Sequence, residues 1–276
     1  MKNQNQILLY DDYCTLCSWY TGLFVKYGLL KPENRRPFST ADTTLFGSID
    51  LDKGKNEIPL FNPETGKTLY GIDAMLEILG WKFPLIKSIG NIKAVNWFLK
   101  KLYKLISFNR KIVIAKTCSR ESFDCSPAFN VRYRFLFLLV CLAFNTVMLV
   151  PYHELVFGKL SFYKLTGSQL QFSHFVFVLI NCLLALSLKK KLSLEYLGQV
   201  NMLALSGILL LVPLMLANLL LPVPEWFVIV YLFAATVFIT TEYFRRMKYV
   251  GVFSQHKRIM MFNVVSLALF LIYIFH

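Results

Sequence analysis

The sequence predicts two architectures in one chain: a small α/β domain, then an all-α bundle of five transmembrane spans. Three observations carry this. Mean hydropathy is +0.50 and 56% of the 276 residues are hydrophobic, too apolar for an ordinary soluble domain. The apolar residues are also unevenly spread. Residues up to about 125 mix charges, turns and short elements, whereas from 131 onward long apolar runs alternate with short polar or basic loops. Finally, the pair Cys14-Thr15-Leu16-Cys17 follows the apolar run Ile7–Tyr10, where a strand hands over to a helix. The expected organisation is residues 1–116 as the α/β domain, 117–130 as a juxtamembrane linker and 131–276 as the bundle.

The elements follow in order. Ile7–Tyr10 reads as a buried strand. Over Cys14–Leu30, Leu16, Trp19, Tyr20, Leu23, Phe24, Tyr27 and Leu30 recur at three- and four-residue steps, which predicts a helix weakened by Gly28 and Pro32. Arg36–Ser39 reads as a second strand and Thr40–Leu51 as a short helix. Ile58–Asn62 and Lys67–Tyr70 flank the turn tetrapeptide Pro63-Glu64-Thr65-Gly66, so they predict a hairpin. Gly71–Gly80 begins another helix. Lys87–Ile106 is basic and apolar together, which suits either a helix lying in a membrane interface or the last amphipathic helix of the domain with a solvated Lys face.

The spans are Val131–Val150, Phe172–Leu188, Leu197–Leu221, Trp226–Tyr243 and Ile259–Phe275. Each reaches the length of about 17 to 20 residues that crossing a bilayer needs, the second and fifth narrowly. Pro213 should kink the third, and Pro222 and Pro224 should turn it back into the fourth. Arg132, Arg134, Lys189–Lys191, Arg245, Arg246, Lys248, Lys257 and Arg258 lie in alternate loops between these spans, and so on one side of them. The positive-inside rule then places the first domain in the cytoplasm and the C-terminus outside an inner (plasma) membrane. The N-terminal apolar run is too short for a signal peptide, which agrees. Asn145, Asn181, Asn201, Asn218 and Asn263 recur within the spans as interhelical hydrogen-bond formers. The net charge of +14 gathers beside apolar runs, which speaks for a lipid partner and against nucleic acid.

A CxxC on the cytoplasmic side points to redox chemistry or metal binding rather than a structural staple. Zinc wants four ligands, and no second CxxC or His pair follows at finger spacing. At a helix N-terminus, unpaired N–H groups favour a thiolate, which attacks a disulfide while its neighbour resolves the mixed disulfide. Cys14 is therefore the candidate nucleophile and Cys17 the resolving thiol. Asp11 is either a proton acceptor for the buried sulfur or, like Asp12, a helix N-cap. Two carboxylates beside the dithiol should disfavour the thiolate. Cys118 and Cys125, beside Lys116 and Arg120, are a candidate juxtamembrane relay or two incidental loop cysteines.

The motif Asp11-x-x-Cys14-x-x-Cys17, with Gly71-Ile72-Asp73-Ala74 opening a helix and Phe108-Asn109-Arg110-Lys111 downstream, resembles the DCC family of thiol–disulfide oxidoreductases over about the first 115 residues. Asp12 stands where that family often has Gly. The resemblance implies a thioredoxin-like domain, a cis-proline at Pro59 opposite the dithiol, and disulfide exchange on a protein or small-thiol substrate. It implies no cofactor or metal. The rivals are a binding or scaffold module with an idle dithiol, and a redox-regulated membrane transporter or electron conduit.

Overall fold

The computed structural model describes residues 5–41, 43–116 and 127–275. The chain divides into two compact units, Met1–Arg134 and Phe135–His276.

The first unit contains β1 (Ile7–Tyr10), α1 (Thr15–Lys26), β2 (Arg35–Pro37), α2 (Thr43–Gly47), α3 (Leu51–Asn56), β3 (Pro59–Phe61), β4 (Thr68–Tyr70), α4 (Ile72–Gly80), α5 (Pro84–Gly90) and α6 (Lys93–Ile114). The strands form one sheet in the order β2-β1-β3-β4. β1 runs parallel to β2 and antiparallel to β3, and β3 is antiparallel to β4. Because successive residues of a strand face opposite ways, β1 feeds two cores. Leu8 and Tyr10 pack with Phe24, Leu30, Leu60 and Ile78. Leu9 packs on the other side with Phe38, Leu45, Ile49 and Phe61. Leu8 and Leu9 are both fully buried, and burying each contributes about 1.5–3 kcal/mol. This is why the run reads as continuously apolar rather than alternating.

Two glycines are required by geometry. Gly28 (φ +66°) ends α1, where the Leu29 and Leu30 N–H groups return to the Phe24 carbonyl. Gly71 (φ +57°) opens α4, and a Cβ there would meet Glu57 Oε2 at 2.9 Å and the Tyr103 ring at 3.0 Å.

The second unit contains the body of α7 (Val131–Leu155), then α8 (Gly167–Leu186), α9 (Lys190–Leu220), α10 (Glu225–Tyr249), α11 (Val252–Gln255) and α12 (Lys257–Phe275). α9 and α10 form the expected hairpin around Pro222 and Pro224. The Tyr231 hydroxyl donates to the Leu210 carbonyl, and Arg246 Nη1 donates to Gln199 Oε1. Polar side chains tie the helices together. The Tyr196 hydroxyl donates to Asn181 Oδ1 at 2.7 Å and accepts from Asn263 Nδ2 at 2.8 Å. Asn201 donates to the Leu138 carbonyl and Asn218 to the Leu155 carbonyl.

The expected fold class needs correction in both halves. The chain is predominantly helical and its only described sheet is four strands of three or four residues. The first unit is therefore a helix-dominated domain on a small sheet and is not assigned to the thioredoxin-like α/β class. In this unit the expected Thr40–Leu51 helix keeps only α2, a further helix α3 follows it, and Lys87–Ile106 falls on α5 and a 22-residue α6. In the second unit, four helices among the described residues are long and apolar enough to cross a membrane, not five: Val131–Lys159, Gly167–Leu186, Lys190–Leu220 and Glu225–Tyr249. α12 has 19 residues and opens with Lys257-Arg258. Its apolar run after Arg258 lies at the lower length limit for a crossing, about 17 residues.

Candidate functional site

The site is built where β1 ends. Asp11 folds the chain back on itself: its Oδ1 accepts the N–H groups of Tyr13 (3.1 Å) and Cys14 (3.2 Å). This turn aims Cys14 at the start of α1. The N-cap is Cys14 itself, not Asp11 or Asp12. Its backbone is extended (φ −87°, ψ 107°) and its Sγ accepts the Cys17 N–H at 3.4 Å. A cap sulfur in that position sits in the positive field of the helix N-terminus. Asp12 turns away and accepts from the Ser39 hydroxyl at 2.8 Å.

Cys17 lies one turn into α1, on the buried face with Thr21 and Phe24. Trp19, expected among the inward residues, is 62% exposed. The inward stripe is polar at its start because Cys17 and Thr21 meet other groups of the site. The Thr21 hydroxyl donates to the Cys17 carbonyl and accepts from Arg35 Nε.

Sequence reasoning quoted Arg110 within a basic stretch but gave it no role. It comes from the inner face of α6, where Tyr103, Ser107 and Arg110 share one side of the helix. This stripe grips the end of α3 and the start of β3. The Ile58 N–H donates to the Tyr103 hydroxyl, Ser107 donates to the Asn56 carbonyl, and Arg110 Nη2 donates to the Lys55 carbonyl at 2.9 Å. The guanidinium thereby reaches the dithiol. Nη1 donates to Cys17 Sγ at 3.7 Å, and Nη2 lies 3.4 Å from Asp11 Oδ2. The signal in the sequence was a lone Arg on the Tyr103–Ser107 face, opposite the apolar face of the same helix. Neither Asp11 oxygen is hydrogen-bonded to a sulfur; the carboxylate instead sets the turn and holds Arg110.

Electrostatics split the two thiols. The Cys14 thiol is pushed down to about 6, first by the hydrogen bond its sulfur receives from the Cys17 thiol. Burial opposes this, the Cys17 N–H and Arg110 assist it, and Asp11 opposes it least. Asp11 still disfavours this thiolate, as expected, but it is outweighed; Arg110 pairs with it, and Asp12 is turned to Ser39. Cys17 moves the other way. Its thiol donates a hydrogen bond to the Cys14 sulfur and is buried, and both raise it while Arg110 pulls it down.

Both cysteines are free and mostly buried. Cys14 opens on a cavity of about 20 Å³ lined also by Tyr13, Arg110, Lys111, Ile114 and Lys116, room for about one water molecule. Among the described residues, three cations and the Asp11 carboxylate line it.

Pro59 is the first residue of β3, opposite Tyr70, and no described peptide bond is cis. The cis-proline expectation is corrected to an ordinary strand-start proline, where the missing N–H disturbs no ladder bond. Cys118 and Cys125 lie outside the described residues. Cys141 is buried within α7 and Cys182 lies exposed on α8. His153 hydrogen-bonds the Leu165 carbonyl at 2.9 Å and packs on Tyr163, a local role. Among the described residues no group of three or more His, Cys, Asp or Glu is placed to hold a metal ion. Compared with protein families, curated proteins and solved structures, the chain matches none.

Proposed function

We propose that this chain is a membrane-anchored thiol–disulfide oxidoreductase of the DCC type, working through Cys14 and Cys17 on the cytoplasmic face. One observation carries the reading. Cys14 caps a helix with an acidified sulfur that opens on a cavity, while the buried Cys17 stands within hydrogen-bond reach of both it and Arg110. A structural pair gains nothing from that asymmetry, whereas a two-step exchange needs it.

The chemistry balances as follows. The Cys14 thiolate attacks one sulfur of a substrate disulfide R–S–S–R′, forming Cys14–S–S–R and releasing R′S⁻, which takes a proton from water. Cys17 then attacks the Cys14 sulfur as its thiolate, forming the Cys14–Cys17 disulfide and releasing RS⁻, which takes up, through water, the proton that Cys17 gave up. The substrate gains two electrons and the dithiol loses two, which a small thiol or a dithiol protein restores. Arg110 acts in the second half. Cys17 has by then lost the acceptor sulfur that held its proton, and the guanidinium 3.7 Å away stabilises the forming thiolate. Asp11 holds Arg110 in place. The narrow mouth and the surplus of cations favour a slim disulfide bearing negative charge.

The cytoplasmic placement is supported by the basic residues at one end of the four candidate spans: Arg132 and Arg134, Lys189–Lys191, and Arg245, Arg246 and Lys248. The test uses the full chain in nanodiscs. Insulin reduction with a thiol donor should proceed with wild type and vanish with Cys14→Ser. Cys17→Ser should accumulate a mixed disulfide on Cys14, visible by mass. Reduction equal in wild type and Cys14→Ser would sink the proposal and leave an idle dithiol. Oxidised glutathione, an anion, should be turned over faster than the cationic disulfide cystamine.

A further inference from the structure

Helix α6 has two working faces. Leu99, Tyr103, Ser107 and Arg110 point into the first unit. The opposite face carries Trp97 (64% exposed), Phe98 (58%), Leu102 and Ile106, none of them covered. Phe98, Leu102 and Ile106 form one row at four-residue steps, and Trp97 and Lys101 the row beside it. The preceding α5 and its flanks leave Phe83, Leu85, Ile86, Ile89 and Ile92 exposed as well. An amphipathic helix that closes a water-soluble domain should turn charge outward. This one also turns outward the side chains that water tolerates least, beside its exposed lysines.

Charge says what covers the face. From residue 78 to residue 120 there is no Asp or Glu, against ten Lys and Arg. Lys87, Lys100 and Lys104 are paired with Glu77, Asp73 and Glu57. Lys93 and Lys101 are exposed and have no carboxylate partner among the described residues, and Lys101 lies 5.9 Å over the Trp97 ring. An apolar stripe with an aromatic at its border and cations alongside fits the headgroup–acyl boundary of an anionic leaflet. A bilayer is also at hand: only sixteen residues, 115–130, separate the end of α6 from the first candidate span.

We infer that the outward face of α5–α6, centred on Trp97, Phe98, Leu102 and Ile106, docks into the anionic headgroup layer of the bilayer that the candidate spans cross. The inference rests on those four helices being inserted, and it is independent of the redox reading. Docking would hold Arg110, on the other side of the same helix, and with it the dithiol, beside the membrane. Substrate disulfides at the surface would then meet Cys14 without free diffusion.

The experiment reconstitutes the full chain into phosphatidylglycerol–phosphatidylcholine vesicles whose acyl chains carry bromine near the headgroup, which quenches tryptophan on contact. Trp97→Phe is a surface change that should leave the fold intact. Wild-type emission should contain a lipid-quenched component that shrinks in Trp97→Phe. In Lys93→Glu/Lys101→Glu the Trp97 component should move from lipid quenching to quenching by aqueous iodide. If Trp97→Phe removes only an iodide-quenched component, the face is solvated and the inference fails. If it removes a component neither quencher touches, the face is covered by protein, such as a second copy, and the inference also fails. Trp226, at the start of α10, is the control. Should Trp226→Phe leave the lipid-quenched emission unchanged too, insertion of the bundle itself is wrong and docking falls with it.

Discussion

Replacing Arg110 by glutamine removes the one cation in contact with the resolving sulfur. At 3.7 Å, and with an effective dielectric constant of about 20, the attraction between guanidinium and thiolate is about 4.5 kcal/mol. Both groups are about nine-tenths buried, so water screens little of it. Losing it lowers the Cys17 thiolate population on the order of a thousandfold at about 1.4 kcal/mol per decade. A more basic thiolate is a better nucleophile, which returns part of the loss. With a Brønsted slope of about 0.4–0.5, resolution should slow about 40- to 80-fold. The assay is stopped flow with Ellman's disulfide on a chain whose Cys118, Cys125, Cys141 and Cys182 are serine. The first release of aryl thiolate reports attack by Cys14, and the second reports attack by Cys17. Arg110→Gln should leave the first phase within a few-fold and slow the second. Arg110→Lys, which keeps the charge without the fork, should recover most of it. A second phase equally fast in wild type and Arg110→Gln would refute this role. The same substitution strands the Asp11 carboxylate, so a stability loss of about 3–5 kcal/mol should accompany it as a lower melting temperature.

Other outcomes follow from the same geometry. Cys14 alkylation by iodoacetamide should rise with pH through a midpoint of about 6 and level off above it, because the thiolate reacts. Peptide thiols titrate nearer 8.5, so a midpoint there would contradict the cap geometry. Asp11→Asn keeps an acceptor for the Tyr13 and Cys14 N–H groups and removes the negative charge that opposes both thiolates. The alkylation midpoint should move lower still, whereas a rise would restore the case for a proton-accepting carboxylate. In the bundle, Tyr196→Phe deletes the hydroxyl that links Asn181 and Asn263. It should cost about 1–2 kcal/mol of stability in detergent, read from the unfolding midpoint; no change would mean the triad is not interhelical glue.

Local chemistry was legible along the chain. The strand before the cysteine pair, the glycine at the end of α1, the Asn62–Lys67 hairpin and the α9–α10 turn at Pro222 and Pro224 stand where short-range rules put them. Each depends on neighbours within a few residues: a short apolar run, a residue that accepts positive φ, a ring that lacks an N–H. The bland alternative at Pro59 was also open to view, because a proline opening a strand needs no special bond. The miscount of spans arose at α12, where a run at the lower length limit had to be judged from residues alone. Hydropathy showed that this chain has helices able to cross a membrane.

The amino-acid order by itself determined the candidate sulfurs and their spacing, the strand-to-helix setting of Cys14, and the division into a mixed unit and an apolar one. Only the tertiary structure decided the balance of charge at the dithiol. Arg110 lies 93 residues from Cys17, and no periodicity links them. Folding brought α6 against the end of α3, set the guanidinium between Asp11 and the sulfur, and turned Asp12 away to Ser39. Electrostatic interaction depends on distance through space and on burial, and neither is written in linear order. Carboxylates that look dominant along the sequence are therefore outweighed at Cys14 in the folded chain, first by the Cys17 side chain, then by the helix end and one distant arginine.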